Sequence, residues 1–479
     1  MTSATLFAIC IMLPFVGACL LPIAGHFMPR VRNLLALLVV LLLFLGSAFL
    51  LGFTLRDGAL VLSLELPLGL SFAFSADAFS AFMAALSAFM TGLVLFYSFG
   101  YIERYAFQNE YYILMVALAG CFNMVLYAGT LLLIYIFLQV AVLCHWRLTV
   151  FYRDPVHIGN ANRNLMMLSL GSLAFLLGVV GLYVQNGTFS LAQLQGLELS
   201  GGLLSLLMFG LFMVTAIFPL HDWLTNSTFA PTSAAALVNG VIMLNMGLCL
   251  FARLFVFEFV LDELWQNAIP VVAVISSLFA AGAALAEQNL KRMLSYAAIS
   301  QAGFILMGVA SGSNLAFEGA FLYILINSLA ITGLFLCAGI IERAVHSFDI
   351  RRMGGLWGRM PLVGVCFLVC ALSLTGLPPM PGFYAKYMLI AGAANTGHSV
   401  IALLFGVSSF LSILYLLRAF FRIFFAAQQG PAAQGATLYG GSWEMIFAIS
   451  AFAFFLVLSA LFINIPSYVV DVITSVMGR

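Results

Sequence analysis

Apolar runs of roughly 20 residues, long enough to cross a hydrocarbon core as helices, recur along the chain with short polar connections between them. The alternating pattern of a lipid-facing barrel strand is absent, and a backbone in lipid must satisfy its own hydrogen bonds. The pattern predicts an all-α polytopic membrane protein with about 14 transmembrane helices. The first run lacks a preceding basic segment and is predicted to be a span, not a signal peptide. The predicted spans are residues 4–25, 32–53, 77–99, 112–128, 130–147, 164–184, 202–222, 231–254, 268–286, 294–311, 317–342, 361–393, 400–424 and 445–468.

Composition agrees with this class, because 64% of the residues are hydrophobic and only 7% are charged, against about 25% in a soluble protein. The formal net charge of +1 indicates no nucleic-acid partner, and the lipid bilayer is the expected surrounding. No connection is long enough for a soluble domain, so any redox centre is expected on another chain. Cys366 and Cys370 could form half a metal site, but they lack a nearby histidine or carboxylate and are predicted to be small core residues. No cofactor, metal ion or catalytic residue is expected on this chain.

Basic residues are concentrated in alternate connections, and this orients the predicted bundle. The positive-inside rule places these connections in the cytoplasm and both termini on the outer side of the membrane. Arg56 and Arg253 are exceptions, because they lie in connections predicted to be on the outer side. The basic residues of the cytoplasmic connections are Arg30, Arg32, Arg147, Arg153, Arg163, Lys291, Arg292, Arg343, Arg351, Arg352, Arg359, Arg418 and Arg422.

Two of the predicted spans are interrupted by proline and polar residues. The seventh contains Pro219 followed by His221 and Asp222, and the twelfth contains three prolines within 374–386. Each is the fourth span of a five-span block, and paired interruptions of this kind are typical of transporters with inverted repeats. Ordinary proline kinks would give the same sequence pattern. The predicted parts are helices 1–3 in residues 1–111, a first five-helix repeat in 112–254, a second, inverted repeat in 268–424, and helix 14 in 445–479.

The ionisable residues near these interruptions are the candidates for proton transfer. Only two of the eighteen basic residues are lysines, and lysine, unlike arginine, can release its proton in a buried site. Lys386 lies inside the twelfth span as a functional candidate, with a snorkelling structural lysine as the alternative. Lys291 begins the tenth span as a relay residue or an interfacial anchor, and Glu287 precedes it at the spacing of a helical ion pair. His221 and Asp222 either transfer protons or cap the broken helix.

Several segments that contain these candidates resemble one known family. The sequence is similar, from about residue 70 to 395, to the antiporter-like membrane subunits of respiratory complex I. That family also includes Mrp-type cation/proton antiporters and the membrane arms of group 4 hydrogenases, of the hydrogenase-4 and formate hydrogenlyase type. The resemblance implies fourteen spans with twin five-helix repeats. The segments are Ser75-Ala-Asp-Ala-Phe-Ser-Ala-Phe82, Gly210-Leu-Phe-Met-Val-Thr-Ala-Ile-Phe-Pro-Leu-His-Asp-Trp-Leu224, Ala230-Pro-Thr-Ser-Ala-Ala-Ala-Leu237, Asn289-Leu-Lys-Arg-Met-Leu-Ser-Tyr-Ala-Ala-Ile-Ser-Gln-Ala-Gly303 and Leu374-Thr-Gly-Leu-Pro-Pro-Met-Pro-Gly-Phe-Tyr-Ala-Lys386.

The departures from the family's pattern concern its proton-relay positions. Only Lys386 stands where the family carries its span-twelve relay residue. Amide side chains can hydrogen-bond water but cannot change protonation, so a degenerate half-channel is expected in the first repeat. The resemblance places Gln139 at the span-five glutamate, Val214 at the lysine before the span-seven proline, Asn239 or Asn245 at the lysine or histidine of span eight, and Asn327 and Ile331 at the histidine and lysine of span eleven.

The resemblance implies a non-catalytic membrane-arm subunit of a complex I-like energy-converting oxidoreductase. The type is NADH-quinone oxidoreductase or group 4 hydrogenase, and the lost relay residues favour the latter. Other membrane and peripheral subunits are then its partners, in the inner (plasma) membrane of a bacterium or archaeon. Lys386 and Lys291 are expected to carry or couple a proton path, with the first half as a spacer. The alternatives are an autonomous cation/proton transporter, disfavoured by an interior poor in carboxylates, and a purely structural subunit.

Overall fold

The computed structural model describes residues 3–65, 71–427 and 441–461 of the chain. Helices make up nearly all of these residues, as the apolar runs predict. The predicted last span, 445–468, continues past the described residues. The helices are α1 Ser3–Phe27, α2 Pro29–Asp57, α3 Ala78–Ile102, α4 Gln108–Tyr127, α5 Leu131–Thr149, α6 Pro155–Asn186, α7 Leu191–Leu194, α8 Gly201–Val214, α9 Asp222–Asn226, α10 Thr232–Ala236, α11 Met243–Ala252, α12 Glu263–Ala286, α13 Leu290–Ala310, α14 Asn314–Val345, α15 Pro361–Thr375, α16 Pro381–Asn395, α17 Ser399–Phe424 and α18 Trp443–Leu461.

Short turns of other helix types complete the chain between these α-helices. A 3₁₀ turn at Ser227–Phe229 follows α9, and 3₁₀ turns at Ile350–Arg352 and Leu356–Gly358 lie between α14 and α15. π-Helical turns at Leu237–Val241 and Arg253–Glu258 join and extend α10 and α11 into one span. Within the described ranges, twelve continuous helices are long and apolar enough to cross a membrane. The two broken spans would complete the predicted count of fourteen, which stays a prediction.

Helix starts follow local sequence signals more closely than hydropathy. Asp77 and Ser80 cap α3 reciprocally, because Ser80 N donates to Asp77 Oδ1 (2.7 Å) and Asp77 N donates to Ser80 Oγ (3.0 Å). Proline occupies the first turn of α2, α6, α15 and α16, where it has no hydrogen bond to lose. The span predicted at 164–184 therefore begins earlier, at Pro155, and includes polar first turns that hydropathy alone does not detect.

Burial separates inner helices from those at the perimeter. In the most apolar window, 94% of the residues of α13 and of α14 are buried inside the protein, against 33% for α2, α17 and α18. Lipid tails are as apolar as leucine, so the perimeter helices can expose large apolar side chains at no cost. The inner helices carry the polar residues of the interior, because only protein neighbours can accept their hydrogen bonds. The candidate site therefore lies around α13 and α14.

A β-hairpin between α2 and α3 was not predicted by the sequence analysis. Its strands are β1 Leu60–Glu65 and β2 Ser71–Ala76, which pair antiparallel with Leu60 opposite Ala76. Gly129, in the connection between α4 and α5, donates its N–H to the Ala73 carbonyl (2.8 Å), so the hairpin is tied to the bundle. The predicted spans are unaffected, because the hairpin occupies a connection.

Arg253, an exception to the charge pattern, is buried with only 5% of its surface exposed. Its Nη2 donates to Ser75 Oγ on β2 (2.8 Å), and its Nη1 donates to the Leu126 carbonyl at the end of α4. An arginine whose guanidinium is hydrogen-bonded to protein groups in this way connects parts of the fold and need not face the cytoplasm. The positive-inside pattern is therefore not weakened by this residue.

The seventh and twelfth spans are broken at matching places. In the seventh, α8 ends at Val214 and α9 begins at Asp222, and in the twelfth, α15 ends at Thr375 and α16 begins at Pro381. The peptide bonds before Pro219 and Pro379 are cis. Both interruptions predicted from the sequence are thus breaks in the helix and not simple kinks.

The backbone follows the same path through both breaks. Ala216 and Gly376 each adopt a left-handed conformation, with φ of 54° and 76°. The residue that follows each of them donates its N–H five residues back, and the residue after each cis proline donates three residues back. This correspondence is consistent with the predicted internal repeat. The paired hydrogen bonds are Ile217 to Phe212 (3.0 Å) and Leu377 to Leu372 (3.3 Å), then Leu220 to Ile217 (2.7 Å) and Met380 to Leu377 (2.9 Å).

A second correspondence involves the connections before α5 and α13. In each, a residue before the helix forms an isolated antiparallel bridge, Thr130 with Ser190 and Asn289 with Asp349. If the broken seventh span crosses the membrane as predicted, five crossings separate the two bridges along the chain, an odd number that is consistent with an inverted repeat. The limits 1–111, 112–254, 268–424 and 445–479 stay predictions. The paired hydrogen bonds are Leu131 to Phe189 (3.0 Å) and Leu290 to Phe348 (2.9 Å), then Leu191 to Gly129 (3.0 Å) and Ile350 to Gln288 (2.9 Å).

Candidate functional site

Lys386 lies in the second turn of α16, directly beyond the break, and only 3% of its surface is exposed. Its Nζ donates to the Thr375 carbonyl (3.2 Å), which the break leaves without a helical partner, and to Ser409 Oγ (3.3 Å). The same atom lies 4.7 Å from the ring centre of Phe304 and 5.6 Å from that of Tyr323. A carbonyl, a hydroxyl and two aromatic faces therefore hold the amine, a set that accepts both a charged and a neutral lysine.

Polar side chains continue from Lys386 into the interior. The Tyr323 hydroxyl lies 2.6 Å from Gln301 Oε1 and 3.2 Å from the Leu374 carbonyl at the break. Gln301 Nε2 in turn donates to the Tyr415 hydroxyl (3.5 Å). These residues come from α13, α14 and α17, so the network joins the three helices that surround the break. The sequence analysis missed it, although Gln301 in an apolar run was a signal.

Three serines form a second polar cluster among the same helices. The hydroxyls of Ser277 on α12, Ser300 on α13 and Ser408 on α17 lie 2.7 to 3.3 Å from one another, and all three are fully buried. Ser408 is adjacent in sequence to Ser409, which contacts Lys386. Hydroxyls both donate and accept, so such a cluster can pass a hydrogen bond in either direction.

His221 and Asp222 lie at the first break and are brought together there. Asp222 pairs with Arg163 (2.7 Å), and its Oδ1 lies 3.8 Å from His221 Nε2. Asp222 is 39% exposed, whereas His221 is buried against the Phe279 ring at 5.3 Å between centres. His221 precedes α9 without a side-chain capping hydrogen bond among the described residues, so the arginine partner of Asp222 fits a structural ion pair and not helix capping. Their role in proton transfer stays a prediction.

Lys291 is buried, with 4% of its surface exposed, and does not extend into the interface as an anchor would. Its Nζ donates to the Ala230 carbonyl before α10 (2.8 Å) and lies 4.8 Å from the Phe348 ring centre. The predicted ion pair with Glu287 is wrong, because α12 ends before Glu287 and α13 begins after it. The Glu287 carboxylate instead accepts from the backbone N–H groups of 288 and 289 and lies 3.6 Å from Arg292.

A cavity of about 400 Å³ lies beside Lys291. His157, Arg292 and Glu342 also line it, so charged or titratable side chains from α6, α13 and α14 face one space. Glu342, near the end of α14, was not singled out by the sequence analysis. Aromatic residues complete the wall of the cavity, namely Tyr101, Tyr105, Tyr152, Phe229 and Phe348.

Except at Val214, amide side chains occupy the first-half positions at which the family resemblance implies relay residues. Gln139 accepts from Ser172 Oγ (3.0 Å) and donates to the Tyr135 hydroxyl (3.4 Å). Asn239 lies in the π-helical turn before α11 and donates to Ser227 Oγ (2.9 Å). These contacts are ordinary neutral hydrogen bonds. They stabilise polar groups in the interior but contain no group that titrates near neutral pH.

Of the remaining family positions, Asn245, Asn327 and Ile331 lie on the helices through which the two halves contact each other, and Val214 lies within the first half. Asn245 Nδ2 donates to Ser328 Oγ (2.7 Å), which connects α11 to α14. Asn327 and Ile331 are fully buried on α14, and Val214 is buried at the end of α8. Both polar atoms of Asn327 lack a hydrogen-bond partner within the part of the chain that the structure describes.

His145, another residue that the sequence analysis missed, is fully buried in the first half. It lies on α5 with its ring 5.5 Å from Trp223 of α9, in a perpendicular arrangement. Neither ring nitrogen has a partner among the described residues, and the same holds for the side chain of Asn164 on α6. A histidine inside an apolar predicted span was the signal available in the sequence.

Metal-ligating residues are dispersed in the described ranges. No group of three or more histidine, cysteine, aspartate or glutamate side chains there could hold a metal ion. Cys366 and Cys370 are buried on α15, one helical turn apart.

Comparison with known proteins identifies the family of the chain. The family model described as NADH:quinone oxidoreductase/Mrp antiporter, TM, matches residues 128–412. A second model, described as NADH-Ubiquinone oxidoreductase (complex I), chain 5 N-terminus, matches residues 65–112. The first match covers more than half of the chain, so the chain belongs to this family of antiporter-like membrane subunits. The resemblance found in the sequence motifs is confirmed.

Individual relatives fall in two groups. One Na(+)/H(+) antiporter subunit of Alkalihalophilus pseudofirmus is 28% identical over 440 residues, 88% of each chain. One NADH-quinone oxidoreductase subunit of Campylobacter jejuni is 27% identical over 365 residues, 74% of this chain and 61% of the relative. Relatives thus come from both antiporter and oxidoreductase complexes.

Solved structures show the same fold. A chain of the Mrp complex from Dietzia sp. DQ12-45-1b superimposes with a TM-score of 0.81 at 22% identity, covering 98% of this chain and 100% of that one. A chain of the membrane-bound sulfane sulfur reductase, an archaeal respiratory membrane complex, gives a TM-score of 0.88 at 19% identity, covering 99% and 98%. The fold is therefore that of antiporter-like membrane subunits.

Proposed function

We propose that this chain is the antiporter-like subunit of a multi-subunit, complex I-like energy-converting membrane complex and that its second half translocates protons. The observation that carries the proposal is the position of Lys386, buried beside a helix break and in contact with a network of hydroxyl and amide groups. An ionisable residue inside the membrane that protein groups satisfy is a functional candidate by default. Lys291, at its own cavity, would couple this path to the cytoplasmic side.

The first half supports the complex without a relay of the same kind. Ten residues beyond the left-handed residue of each break the chain reaches Asn226 in the first half and Lys386 in the second. Asparagine cannot take up or release a proton at physiological pH. A matched pair of positions in the two halves therefore carries a neutral amide in one and an ionisable amine in the other.

The partners of the chain are other membrane and peripheral subunits. Its relatives are named as subunits of antiporter and NADH-quinone oxidoreductase assemblies. Electron transfer would take place on those other subunits, of the hydrogenase, formate hydrogenlyase or NADH-quinone oxidoreductase type. The complex would lie in the plasma membrane of a bacterium or archaeon, and the charge pattern supports a chain with both termini on the outer side.

A second candidate function is cation/proton antiport. The similarity to the Na(+)/H(+) antiporter relative over 88% of both chains favours it. Proton movement driven by a sodium gradient without any electron donor would support this candidate. Proton movement only on addition of a reductant, with redox subunits co-purifying by mass spectrometry, would support the oxidoreductase. A chain that purifies alone and transports in liposomes would contradict both subunit assignments.

The decisive experiment compares Lys386→Met with Asn226→Leu in the assembled complex. Proton translocation into liposomes is measured with a pH-sensitive dye, at equal amounts of assembled complex. Lys386→Met should lower translocation by about tenfold or more, equivalent to at least ~1.4 kcal/mol in barrier height, whereas Asn226→Leu should leave it within about twofold. Unchanged pumping in Lys386→Met would show that the lysine is structural.

A further inference from the structure

A furrow on the lipid-facing surface between α2, α3 and α18 has a polar end and an apolar end. The polar end is a cavity of about 690 Å³ whose lining includes Arg30, Asn33, Glu103 and Glu444. The apolar end is a groove of about 550 Å³ with Leu41, Phe89, Gly92 and Phe447 among its lining residues. We infer that this furrow binds one phosphatidylethanolamine, with the phosphate and amine at the polar end and an acyl chain in the groove.

The residues that line the two cavities adjoin one another along all three helices. On α2, Leu34 lines the polar cavity and Leu37, one turn further, lines the groove. On α18, the adjacent residues Glu444 and Trp443 line one cavity each. Arg30 and Phe44 at the two ends are separated by fourteen residues of helix, or about 21 Å. That length exceeds the ~15 Å of one hydrocarbon leaflet by the depth of a headgroup, as a bound phospholipid requires.

The polar end combines both signs of charge. Arg30 offers a guanidinium, which matches a phosphate, while Glu103 and Glu444 offer carboxylates, which match a primary ammonium. An anionic headgroup without an amine would leave the two carboxylates facing a negative ligand. Charge complementarity therefore selects a zwitterionic, amine-bearing phospholipid over phosphatidylglycerol or cardiolipin.

Buried Arg32 lies behind the lining of the polar end and holds three of the neighbouring amide side chains by hydrogen bonds. It is only 3% exposed, and its guanidinium donates to the side-chain oxygens of Asn33 (2.7 Å), Gln108 (2.7 Å) and Asn109 (2.6 Å). Since Arg32 occupies the oxygen of Asn33, the Asn33 amide group presents its N–H donors to the cavity that it lines. This arrangement provides the phosphate with an oriented donor in addition to Arg30.

The apolar end has space for a hydrocarbon chain. A Cβ added at Gly92 would meet only Val40 Cγ1, at 3.8 Å, so the glycine leaves the floor of the groove open. Trp443 forms one wall, packed perpendicular to Phe96 at 5.1 Å and 67% exposed. Tryptophan at the boundary between headgroups and acyl chains is typical of membrane proteins. With Arg30 in a cytoplasmic connection, the lipid would belong to the cytoplasmic leaflet.

The test measures lipid bound to the purified complex. Gly92→Leu should fill the groove, and Gly52→Leu is its control, because a Cβ at Gly52, on the exposed face of α2, also meets nothing within 4 Å. Wild type and Gly52→Leu should each retain one phosphatidylethanolamine per chain after detergent washing, quantified by mass spectrometry. Gly92→Leu should lose most of it.

The charge variants Arg30→Gln and Glu444→Gln test the polar end independently of packing. Both should lower phosphatidylethanolamine retention. Glu444→Gln, which removes a carboxylate, should also raise the retention of phosphatidylglycerol relative to phosphatidylethanolamine, whereas Arg30→Gln should not. Wild-type retention in Gly92→Leu, or preferential retention of an anionic lipid by the wild type, would overturn the inference. So would an electron-microscopy map of the complex in which a helix of another subunit fills the furrow. If Gly92→Leu does not assemble, the charge variants alone decide the outcome.

Discussion

The two helix breaks share a backbone and differ in chemistry. Both have a left-handed residue three positions before a proline and the same pair of local hydrogen bonds. The first break leads to Asn226 and to a Trp223 that is fully buried among helices. The second leads to Lys386, with the adjacent Tyr387 60% exposed at the surface of the described chain. The backbone geometry of a break is thus independent of whether the position ten residues beyond its left-handed residue carries an asparagine or a lysine.

This difference separates two roles of a break: its backbone geometry, which both halves share, and the ionisable side chain beside it, which only the second half has at the matched position. A break frees backbone carbonyls such as that of Thr375, and any donor can then satisfy them. In the second half the donor is an amine that can exist in two protonation states. Variants that change the side chain at the matched position and preserve the backbone geometry should therefore lower transport in the second half and leave it nearly unchanged in the first.

The largest effect is expected for Lys386→Arg. Arginine retains the positive charge and the contacts with the Phe304 and Tyr323 rings but cannot release its proton. Proton translocation by the complex should fall by about tenfold or more, as for Lys386→Met. If the lysine served only as a cation beside aromatic rings, Arg would restore what Met removes, and the liposome assay would show it.

A large effect on assembly is expected for Gly382→Ala. A Cβ at Gly382 would collide with the Ser373 carbonyl oxygen, so α15 and α16 could not approach as they do. The variant should destabilise the protein by roughly 1–3 kcal/mol or more. The corresponding first-half variant Asp222→Ala removes only a half-exposed ion pair with Arg163, worth about 0–1 kcal/mol. Thermal unfolding of the two purified variants checks this order, and equal losses would contradict it.

A moderate effect on transport is expected for Tyr323→Phe. The ring beside Lys386 remains, but the hydrogen bonds to Gln301 and to the Leu374 carbonyl are lost, at a cost of about 1 kcal/mol. If the network carries protons, translocation should fall severalfold. Tyr135→Phe, which removes the partner of Gln139 in the first half, is the matched control and should leave translocation unchanged. Similar losses in both variants would show that the first half also conducts.

The smallest effect is expected for Asp349→Asn, in the connection that corresponds to the one containing Ser190. The Arg351 side chain, hydrogen-bonded to Asp349, holds the pKa of this carboxyl below its ordinary value. The stabilisation is therefore present above the ordinary carboxyl pKa and is lost as the pH falls through the lowered value. Melting temperatures of wild type and variant should differ slightly at neutral pH and converge in strong acid. A difference that grows in acid would contradict the assignment.

The sequence predicted the spans and the breaks because both depend on local signals. A run of apolar residues defines a crossing wherever it occurs, and prolines near Pro219 and Pro379 interrupt a helix irrespective of its neighbours. The family and the isolated position of Lys386 were also visible, since they rest on residue identity. The hairpin was missed because its strands occupy a connection that apolar-run counting passes over.

The contacts of the site were not predictable, because they join residues far apart in the sequence. The Tyr323 hydroxyl on α14 donates a hydrogen bond to Gln301 on α13. The hydroxyls of Ser277 and Ser408 are hydrogen-bonded although 131 residues separate them in the sequence. Glu287 shows the opposite error. Its spacing from Lys291 predicted a helical ion pair, but α12 ends at Ala286 and α13 begins at Leu290, so the two residues do not share a helix. Burial of Lys291 depends on the fold of the first half around Ala230 and has no local signature.

Lys291 lies in the second half of the sequence, but its side chain is hydrogen-bonded to the first half. Its hydrogen bond to the Ala230 carbonyl fastens the first turn of α13 to the segment that leads from the first break into α10. If α13 shifts during the proposed transport, this hydrogen bond would carry the displacement into the first half. In the proposed function, the first half would then pass movement of the second half on to neighbouring subunits.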